Sequence, residues 1–392
     1  MFDEIPTNLT DEQQAMREVA RRVGRDVLQP MVAEIDKTDE FPGAAIDALD
    51  QLGLFCLSVP EAQGGIGADV VTECLVVEEL AYGFPAAALS ICPSIVLSHI
   101  LRAAGPGENE ERWLQRMTEP RTMIGICLTE QGAGSDSAAL ATKAARVDGG
   151  WVLNGTKLYV TNGSVADLYC VFARTGTTED RAKGITGFMV EADCPGLSVT
   201  RVEDKMGIRG SKTAELLFED VFVPDDHLVG KVGDGFRCVM HSFDASRPVI
   251  GVLALAIARS ALDVAAQYAA QRKQFGKPVG EFQGIQFMLA DMAIGIESGR
   301  ALVYEVARLA STGLGNLNAL AAMAKCYATD VAMKVTTDAV QILGGAGYMR
   351  EFPVERMMRD AKIFQIFEGT NQIQRMIIGR HINALAAAEL RG

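Results

Sequence analysis

The chain has 392 residues, of which 48% are apolar and 22% are charged, and its net charge is −13. This length allows two or three domains with a large core, and the apolar content excludes a disordered chain. The negative charge argues against non-specific binding of nucleic acid, which requires a basic surface. Any anionic ligand must therefore be bound by local basic side chains or by helix N-termini.

The eight cysteines and four histidines show no CxxC pair and no spacing typical of metal ligands. Scattered cysteines are typical of small apolar core residues in a reducing compartment. We therefore expect neither a disulfide framework nor a metal centre. The cysteines are Cys56, Cys74, Cys92, Cys127, Cys170, Cys194, Cys238 and Cys326.

The N-terminal sequence MFDEIPTNLTDEQQ is acidic where a secretory signal would be basic and then apolar. The most apolar stretch, residues 249–258, has about half of the ~20 residues that a helix needs to span a bilayer. These two features predict a cytoplasmic protein without a membrane span.

The first third of the chain is predicted to be helical. Thr10 and Gln13 form a capping-box pattern. An apolar stripe at helical spacing follows, made of Met16, Val19, Val23 and Val27. The segment AAIDALDQLG predicts a helix that stops at Gly53, a residue suited to the position after a helix C-terminus. VTECLVVEELAYG and SIVLSHILRAAG predict further helices, separated from the preceding one by the glycine-rich loop VPEAQGGIGAD.

Residues 123–235 have the pattern of β-structure. Asn154-Gly155 lies between the alternating runs WVLNG and TKLYVTNG, which predicts a hairpin turn at this dipeptide. YCVFAR, GITGFMVEAD, LSVTRVED and AELLFEDVFVP predict further strands, with Gly and Pro at the breaks. Together these segments predict a β-sandwich or barrel.

A helical pattern returns after Gly235, in four long segments joined by short links. They are VIGVLALAIARSALDVAAQYAAQRKQ, EFQGIQFMLADMAIGIESGRALVYEVARLAST, LNALAAMAKCYATDVAMKVTTDAVQIL and TNQIQRMIIGRHINALAAAEL. Four such helices predict a bundle. The expected fold is therefore a multidomain α+β protein, with an N-terminal all-α domain at 1–122, a β domain at 123–235 and a C-terminal four-helix bundle at 236–392.

One carboxylate lies in an unusual local sequence. Glu368 stands between the aromatic Phe367 and the flexible Gly369, after an apolar run, in AKIFQIFEGTNQIQR. Burial at such a place disfavours the ionised form and raises the pKa toward neutrality, which suits a base that abstracts a proton. A glutamate that is merely stabilised near a helix N-terminus is the alternative. The local sequence alone does not decide between them.

Three loops could surround a flat, phosphorylated cofactor. They are LTEQGAGSD (128–136), whose glycines permit close approach of the backbone, LYVTNG (158–163) and QRKQFGKPVGEFQ (271–283). Each of them alone is more typical of an ordinary loop, a half-buried strand or a basic helix end. Only their combination favours a cofactor site.

The combination of segments resembles the acyl-CoA dehydrogenase family. VPEAQGGIGAD, LTEQGAGSD, LNGTKLYVTNG, MGIRGS, RKQFGKP, QILGGAGY and IFEGTNQIQR occur in that family's order and spacing, from residue 59 to residue 375. The family also has a helical domain, a β domain and a helix bundle in this order. The resemblance therefore covers nearly the whole chain.

The resemblance implies FAD between the β domain and the bundle. The residues expected on the flavin side are Leu128, Thr129, Gly134, Ser135, Tyr159, Val160, Thr161 and Phe367. Those expected to reach the FAD of a neighbouring subunit are Arg272, Gln274, Phe275, Gln341 and Gly345, and those near the adenine are Thr370 and Gln372. The expected substrate-binding residues are Ser135, Phe243, Asp244, Arg247 and Gly369.

The resemblance also implies a reaction, the α,β-dehydrogenation of an acyl-CoA thioester. Glu368 matches the catalytic base that removes the pro-R α-proton, while the β-hydrogen leaves as hydride to flavin N5. The Glu368 backbone N–H and a ribityl hydroxyl would bind the thioester oxygen. In relatives that carry the base on another helix, the matching position is Ser246 here, which cannot serve as a base.

Electron-transfer flavoprotein is the expected partner, and a homotetramer, at least a dimer, the expected assembly. Two residues depart from the family pattern: Tyr159 stands where many members have Trp, and Gln131 replaces a usual Pro. An oxidase that passes electrons to oxygen, or a CoA- or flavin-binding scaffold without catalysis, are the alternatives. By the resemblance, helices around residues 80–105 and 240–250 line most of the acyl tunnel. The sequence does not give the depth of this tunnel, so short, medium, branched, aromatic and cyclic acyl groups are all left open.

Overall fold

A computed structural model describes residues 8–312 and 317–390. Helices come first, a sheet follows and helices return, which confirms the predicted α, β, α order. The division into domains at residues 122 and 235 stays a prediction, although every strand of the large sheet lies between Ile124 and Val229.

The elements have the following bounds. The N-terminal helices are α1 (Asp11–Arg22), α2 (Val32–Thr38), α3 (Gly43–Gln51), α4 (Val70–Gly83), α5 (Pro85–Ala104) and α6 (Glu108–Arg116). The strands of the large sheet are β1 (Ile124–Cys127), β2 (Lys143–Val147), β3 (Gly150–Thr161), β4 (Leu168–Arg174), β5 (Ile185–Glu191), β6 (Leu197–Val202), β7 (Thr213–Pro224) and β8 (Leu228–Val229). The C-terminal elements are α7 (Gly235–Gln271), β9 (Lys273–Gln274), β10 (Lys277–Pro278), α8 (Gln283–Ser311), α9 (Asn318–Leu343), α10 (Val354–Lys362) and α11 (Asn371–Glu389).

The predicted start of α1 is confirmed, but its buried face is shifted. The Thr10 hydroxyl accepts from the Gln13 backbone at 3.2 Å, and the Gln13 side chain accepts from the Thr10 backbone at 3.1 Å. Of the predicted apolar stripe, Val27 is 38% exposed and the other residues are half-buried. The residues that are buried instead are Arg17, Ala20, Gly24 and Leu28. The buried positions are offset by one residue from the predicted stripe both before and within the π-helical turn at Val23–Leu28.

The predicted hairpin at Asn154-Gly155 is wrong, because β3 runs straight through this dipeptide. The turn lies at Asp148-Gly149, between Val147 and its antiparallel partner Gly150. Asn154 serves another purpose: its side chain bonds both the backbone N–H and the carboxylate of Asp220, at 2.9 Å each, where β7 bulges against β3. Gly155 permits close packing of β3 against Thr142 instead of forming a turn.

The strands form one sheet in the order β6-β7-β3-β2-β4-β5-β8, with β1 beside β4. A single pair, Lys143 and Arg174, joins its two halves through β2 and β4. Apolar side chains from both halves form a shared core that includes Leu153, Phe188 and Phe218. The sheet therefore packs against itself in the manner of a sandwich.

In the bundle, α7 and α9 run in the same direction. The Asn318 side chain at the start of α9 donates to Asp244 near the start of α7 at 2.9 Å. Beyond the other ends, the rings of Tyr268 and Phe352 pack edge to face at 5.6 Å. The predicted short link before the last helix is wrong, because residues 344–370 contain α10. This helix is held to the N-terminal region by an ion pair of 2.7 Å between Arg359 and Asp36.

The MGIRGS segment joins the three parts of the chain. Ile208 has a positive φ of 50°, rare for a β-branched residue, and its backbone N–H donates to Asp360 on α10 at 2.5 Å. The next two residues bond the N-terminal helices: the Arg209 side chain donates to the Asp36 carbonyl at 2.6 Å, and the Gly210 backbone donates to Asp39 at 2.6 Å. The strained loop thus fastens β-structure to both helical regions.

Two helices, Pro85–Ala104 and Gly235–Gln271, are long and apolar enough to cross a membrane by length and composition alone. The second one is longer than the apolar stretch predicted from sequence. Both are mostly buried inside the protein, as core helices are. The predicted cytoplasmic location is not tested by this observation.

Gly155→Ala is expected to destabilise the protein by about 1–3 kcal/mol through overpacking. A Cβ at this position would lie 2.5 Å from the Thr142 hydroxyl and 2.8 Å from the Thr142 Cα. Gly149→Ala, in the turn at the start of the same strand, is the matched control, because its Cβ would meet nothing within 4 Å and only its φ of +72° opposes alanine. Thermal unfolding of both variants measures the difference. Equal losses would contradict the assignment of Gly155 to a close contact.

Candidate active site

Glu368 lies in the turn that leads into α11. Its φ is +54° and that of Gly369 is +85°, so two successive residues have left-handed backbone. Thr370, not Glu368, caps the helix by accepting from the Ile373 backbone at 3.3 Å. Glu368 therefore lies two residues before the N-cap of α11, and the alternative of a glutamate stabilised only by the helix N-terminus is not decided by this position.

One oxygen of the Glu368 carboxylate is withdrawn from water without a hydrogen-bonding partner among the described residues. Although the residue as a whole is half-buried, its Oε2 atom is buried and accepts no hydrogen bond from the described residues. Burial raises the pKa of Glu368 above its ordinary value, while the charges of Lys325 and Arg247 act in the opposite direction. The predicted dry environment is therefore present.

Further polar atoms near α7 and α11 are buried without a partner among the described residues. They are Arg247 Nε, Ser246 Oγ and Gln374 Oε1. The charges of Arg247 and Glu368 lie close enough to interact. Buried polar atoms are normally hydrogen-bonded, so such a group marks a place where a ligand can supply the missing partners.

The residues predicted to bind substrate on α7 are partly engaged with one another. Arg247 donates to Asp244 at 3.2 Å, and its guanidinium lies over the half-buried ring of Phe243, 6.0 Å from the ring centre. Asp244 also accepts from Asn318, so it ties α7 to α9. Arg247 is only 4% exposed, which places it beside Glu368 rather than on the surface. Its predicted contact with CoA stays a prediction.

The two loops predicted to face the flavin form one wall. The Leu158 backbone donates to the Thr129 carbonyl at 2.8 Å. Beneath them, the fully buried Lys157 donates to Glu130 at 2.7 Å and to the Leu128 carbonyl at 3.2 Å. Burial alone would raise the pKa of Glu130, but the charge of Lys157 and hydrogen bonds hold it below its ordinary value. The wall is thus fixed by a buried ion pair.

The exposed side of this wall suits a flat ring. Gly134 and Ser135 are exposed, and a Cβ on Gly134 would meet nothing within 4 Å. Tyr159 has a φ of +58° and is 61% exposed, where β3 bulges against β7. Val160 is only 1% exposed, so a cofactor could reach its backbone but not its side chain. Thr161 is half-buried.

Other predicted cofactor residues lie far from Glu368. Arg272, Gln274, Phe275, Gln341 and Gly345 are all exposed, at or just beyond the C-terminal ends of α7 and α9. From Arg247 to Gln271, α7 spans roughly 36 Å. Because α7 and α9 are parallel, one chain presents these residues at the end opposite to its own base. The structure therefore separates the predicted residues into two groups.

The remaining predicted residues lie around the Glu368 turn. Phe367 is half-buried and packs edge to face on Phe364 at 5.1 Å. The Gly369 carbonyl accepts from Lys325 at 2.8 Å, while Gln372 is exposed on α11.

The sequence interpretation missed three buried polar residues, Lys157, Asn162 and Lys325, of which only Lys325 stands in an otherwise apolar segment. Asn162 is 1% exposed and donates to the carbonyls of Ser90 at 2.9 Å and Ile124 at 3.0 Å, which ties α5 to the wall. A charged residue inside an apolar run is the signal that could have identified Lys325.

Family models match almost the whole chain. The acyl-CoA dehydrogenase N-terminal domain matches residues 10–120, the middle domain residues 125–221 and the C-terminal domain residues 233–383. The chain therefore belongs to the acyl-CoA dehydrogenase family of flavin-dependent oxidoreductases, and the resemblance noted in the sequence is confirmed.

Relatives match over nearly their full length. The chain is 43% identical over 376 residues to a probable acyl-CoA dehydrogenase, fadE25, of Mycobacterium bovis, with 95% of each chain covered. It is 42% identical over 381 residues to cyclohexane-1-carbonyl-CoA dehydrogenase of Geobacter metallireducens, with 97% of this chain and 100% of that protein covered.

Solved structures give the same picture. Butyryl-CoA dehydrogenase from Megasphaera elsdenii has a TM-score of 0.92 at 41% identity, with 96% of this chain and 100% of that chain covered. A chain in a structure described as the electron transferring flavoprotein of Acidaminococcus fermentans has a TM-score of 0.92 at 40% identity, with 96% and 99% covered.

Lys157→Met is expected to cost about 3–5 kcal/mol, because it leaves Glu130 as an uncompensated buried charge. The loosened wall should also retain less flavin after purification. K157M/E130Q is the matched control and is expected to be more stable than K157M, because no unpaired charge remains. Thermal unfolding and the flavin absorbance per chain measure both effects. A double variant that is less stable than K157M would contradict this role of the ion pair.

Proposed function

We propose that this chain catalyses the α,β-dehydrogenation of an acyl-CoA thioester to the trans-2-enoyl-CoA, with FAD as cofactor and Glu368 as the base. The observation that carries the proposal is the Glu368 carboxylate, whose Oε2 atom is buried without a partner among the described residues, whose pKa is raised and which has two buried cations nearby. A carboxylate with a raised pKa binds a proton more strongly than an ordinary glutamate, which suits a base.

Groups of this chain can act both on the α-proton and on the thioester oxygen. Glu368 takes the α-proton. As negative charge develops on the thioester oxygen, it needs hydrogen-bond donors, because an unactivated α-proton is too weakly acidic for a carboxylate in water. The Glu368 backbone N–H is available for this role, since it makes no hydrogen bond within residues 8–312 and 317–390.

The wall formed by residues 128–135 and 157–161 would hold the flavin ring, with Tyr159 behind it and Gly134 beside it. Bound FAD would accept the β-hydrogen as hydride. A dry site strengthens the hydrogen bonds to the thioester oxygen and raises the pKa of the base together.

The acyl group is the open part of the proposal. Relatives of nearly equal identity are named for butyryl-CoA and for cyclohexane-1-carbonyl-CoA, so identity does not fix the substrate. Cys92 on α5 lies close enough to Glu368 for their charges to interact, which supports α5 as part of the proposed acyl side of the site. A panel of acyl-CoA thioesters with a dye acceptor would identify the preferred group.

An assembly of at least two chains is part of the proposal, with a homotetramer as the expected form. Phe275 is 95% exposed at the tip of the β9–β10 hairpin, and it lies at the end of α7 far from Glu368. An apolar ring so placed is best explained by contact with a second chain. Together with Arg272 and Gln274 it would complete the FAD site of the neighbour.

Electron-transfer flavoprotein is the proposed electron acceptor. The support is the similarity of this chain to a chain in a solved structure whose description names an electron transferring flavoprotein. Rapid formation of peroxide without any added acceptor would instead favour an oxidase.

Anaerobic addition of a suitable acyl-CoA is expected to bleach the flavin absorbance, and Glu368→Gln is expected to slow this by at least about 100-fold, because the base is lost. The wild-type rate should fall as the pH drops through the raised pKa of Glu368. Glu12→Gln, on the exposed first turn of α1, is the control and should bleach normally. Undiminished bleaching by E368Q would remove Glu368 from this role, and a wild-type protein inert to every thioester would refute the function.

Phe275→Ser is expected to weaken chain association by at least about tenfold, since burying a phenylalanine contributes about 1.5–3 kcal/mol. Retained FAD should fall with it. Sedimentation velocity of FAD-loaded protein over a dilution series measures the first effect and absorbance the second. Phe222→Ser, which removes a ring that is 46% exposed on β7, is the matched control. Unchanged association in F275S would show that the hairpin tip is not part of an interface.

A further inference from the structure

Lys325 is an ammonium group in the interior of the helix bundle. Its exposure is 0%, and it stands in the alanine-rich segment ALAAMAKCYA of α9. Burial of a cation is costly unless polar groups compensate it. Burial accordingly lowers the pKa of Lys325 to about 8, against the opposing charge of Glu368. A purely apolar residue would have been the simpler choice for packing.

The ammonium group of Lys325 holds the turn that carries Glu368. It donates to the Gly369 carbonyl at 2.8 Å and to the Asn371 side chain at 3.1 Å. Gln374 holds the same turn from the other side, because its side chain donates to the Glu368 carbonyl at 3.2 Å and to the Gly369 carbonyl at 3.0 Å. The left-handed backbone of Glu368 and Gly369 is therefore clamped from two helices.

The partners of Lys325 are themselves fixed. The Asn371 side chain donates to Thr329 at 2.9 Å and to Asp330 at 2.8 Å, both one turn further along α9. Asp330 in turn pairs with Arg375 on α11 at 2.5 Å. This chain of contacts leaves little freedom for the ammonium group or for the turn.

We propose that Lys325 is a positioning residue for the base. Through the Gly369 carbonyl it fixes the orientation of the Glu368 carboxylate, and through its charge it keeps that carboxylate ionised in a dry site. The inference rests on the proposed role of Glu368.

The charges around Glu368 make Lys325 decisive. The groups that face Glu368 are Lys325 on α9, Arg247 on α7 and the thiol of Cys92 on α5. Arg247 is already paired with Asp244 at 3.2 Å, whereas Lys325 forms no ion pair with Asp330, which belongs to Arg375. The charges of Cys326, Arg247 and Asp330 also act on Lys325. Without the ammonium charge, Glu368 becomes protonated at a higher pH.

The experiment compares FAD-loaded wild type with K325M, which removes both the charge and the hydrogen bonds, and with Q374M, which removes only the second clamp. K334M is the matched control, a lysine on the same helix whose side chain is 64% exposed. Infrared difference spectra across pH, with E368Q as the blank, report the protonated carboxyl of Glu368 directly. The rate of anaerobic flavin reduction, measured across pH, gives the pH at which the rate falls on the acid side.

In K325M two midpoints are expected to move upward by about 1 pH unit or more: that of Glu368 protonation in the infrared spectra and that of the fall in flavin reduction rate at acid pH. A nearby charge causes shifts of this size. The rate at neutral pH should fall about 10- to 100-fold because the base is less well placed. Q374M should slow the reaction without moving the midpoints, and K334M should match the wild type. Unmoved midpoints in folded K325M would overturn the proposal.

Circular dichroism and bound FAD show whether K325M folds. If K325M does not fold, K325Q replaces it, because this variant also lacks the charge. The expected shift and the result that would overturn the proposal are the same. K325R keeps the charge, so a midpoint shifted as far as in K325M would also overturn the role of the charge. The wild type and E368Q test the proposed base separately, because loss of bleaching in the wild type refutes the function itself.

Discussion

The removal of one carboxylate oxygen, Glu368 Oε2, from water without a hydrogen bond to it is the constraint on which the rest of this structure depends. A second buried glutamate shows the difference. Glu78 receives Arg259 at 2.7 Å, Arg300 at 2.9 Å and Tyr304 at 2.5 Å, and although burial opposes it, these partners hold its pKa below the ordinary value. Glu368 has cations near it but none bonded to its Oε2 atom, and its pKa is raised. The same residue type is a fully bonded structural group at Glu78 and the proposed base at Glu368.

Holding such a group requires rigid surroundings, and buried polar side chains supply them. Lys157 fixes the wall formed by residues 128–135 and 157–161, Asn162 ties that wall to α5, and Lys325 ties the Glu368 turn to α9. All three bond to backbone carbonyls of another element, so they fix loops that apolar packing alone would leave free. The MGIRGS loop does the same between the N-terminal helices and α10.

The sequence predicted the order of helices and strands, the family and the apolar setting of Glu368, because these depend on periodicity and on motifs that are local. It failed where tertiary contacts overrode local preference. Asn154-Gly155 has the composition of a turn, but Asn154 bonds a bulge in β7 and Gly155 packs against Thr142. Lys325 could not be placed from sequence, because its partner carbonyl lies 44 residues further along the chain.

The parallel course of α7 and α9 has a genetic consequence. If each flavin site draws its base from one chain and its hairpin from the next, a chain altered at Glu368 and a chain altered at Arg272 place both lesions in the same site of their mixed assembly and leave another site intact. Two inactive alleles expressed together would then restore part of the activity, since some pockets would receive both intact halves. A cell that expresses both altered alleles would then be more active than a cell that expresses either one alone.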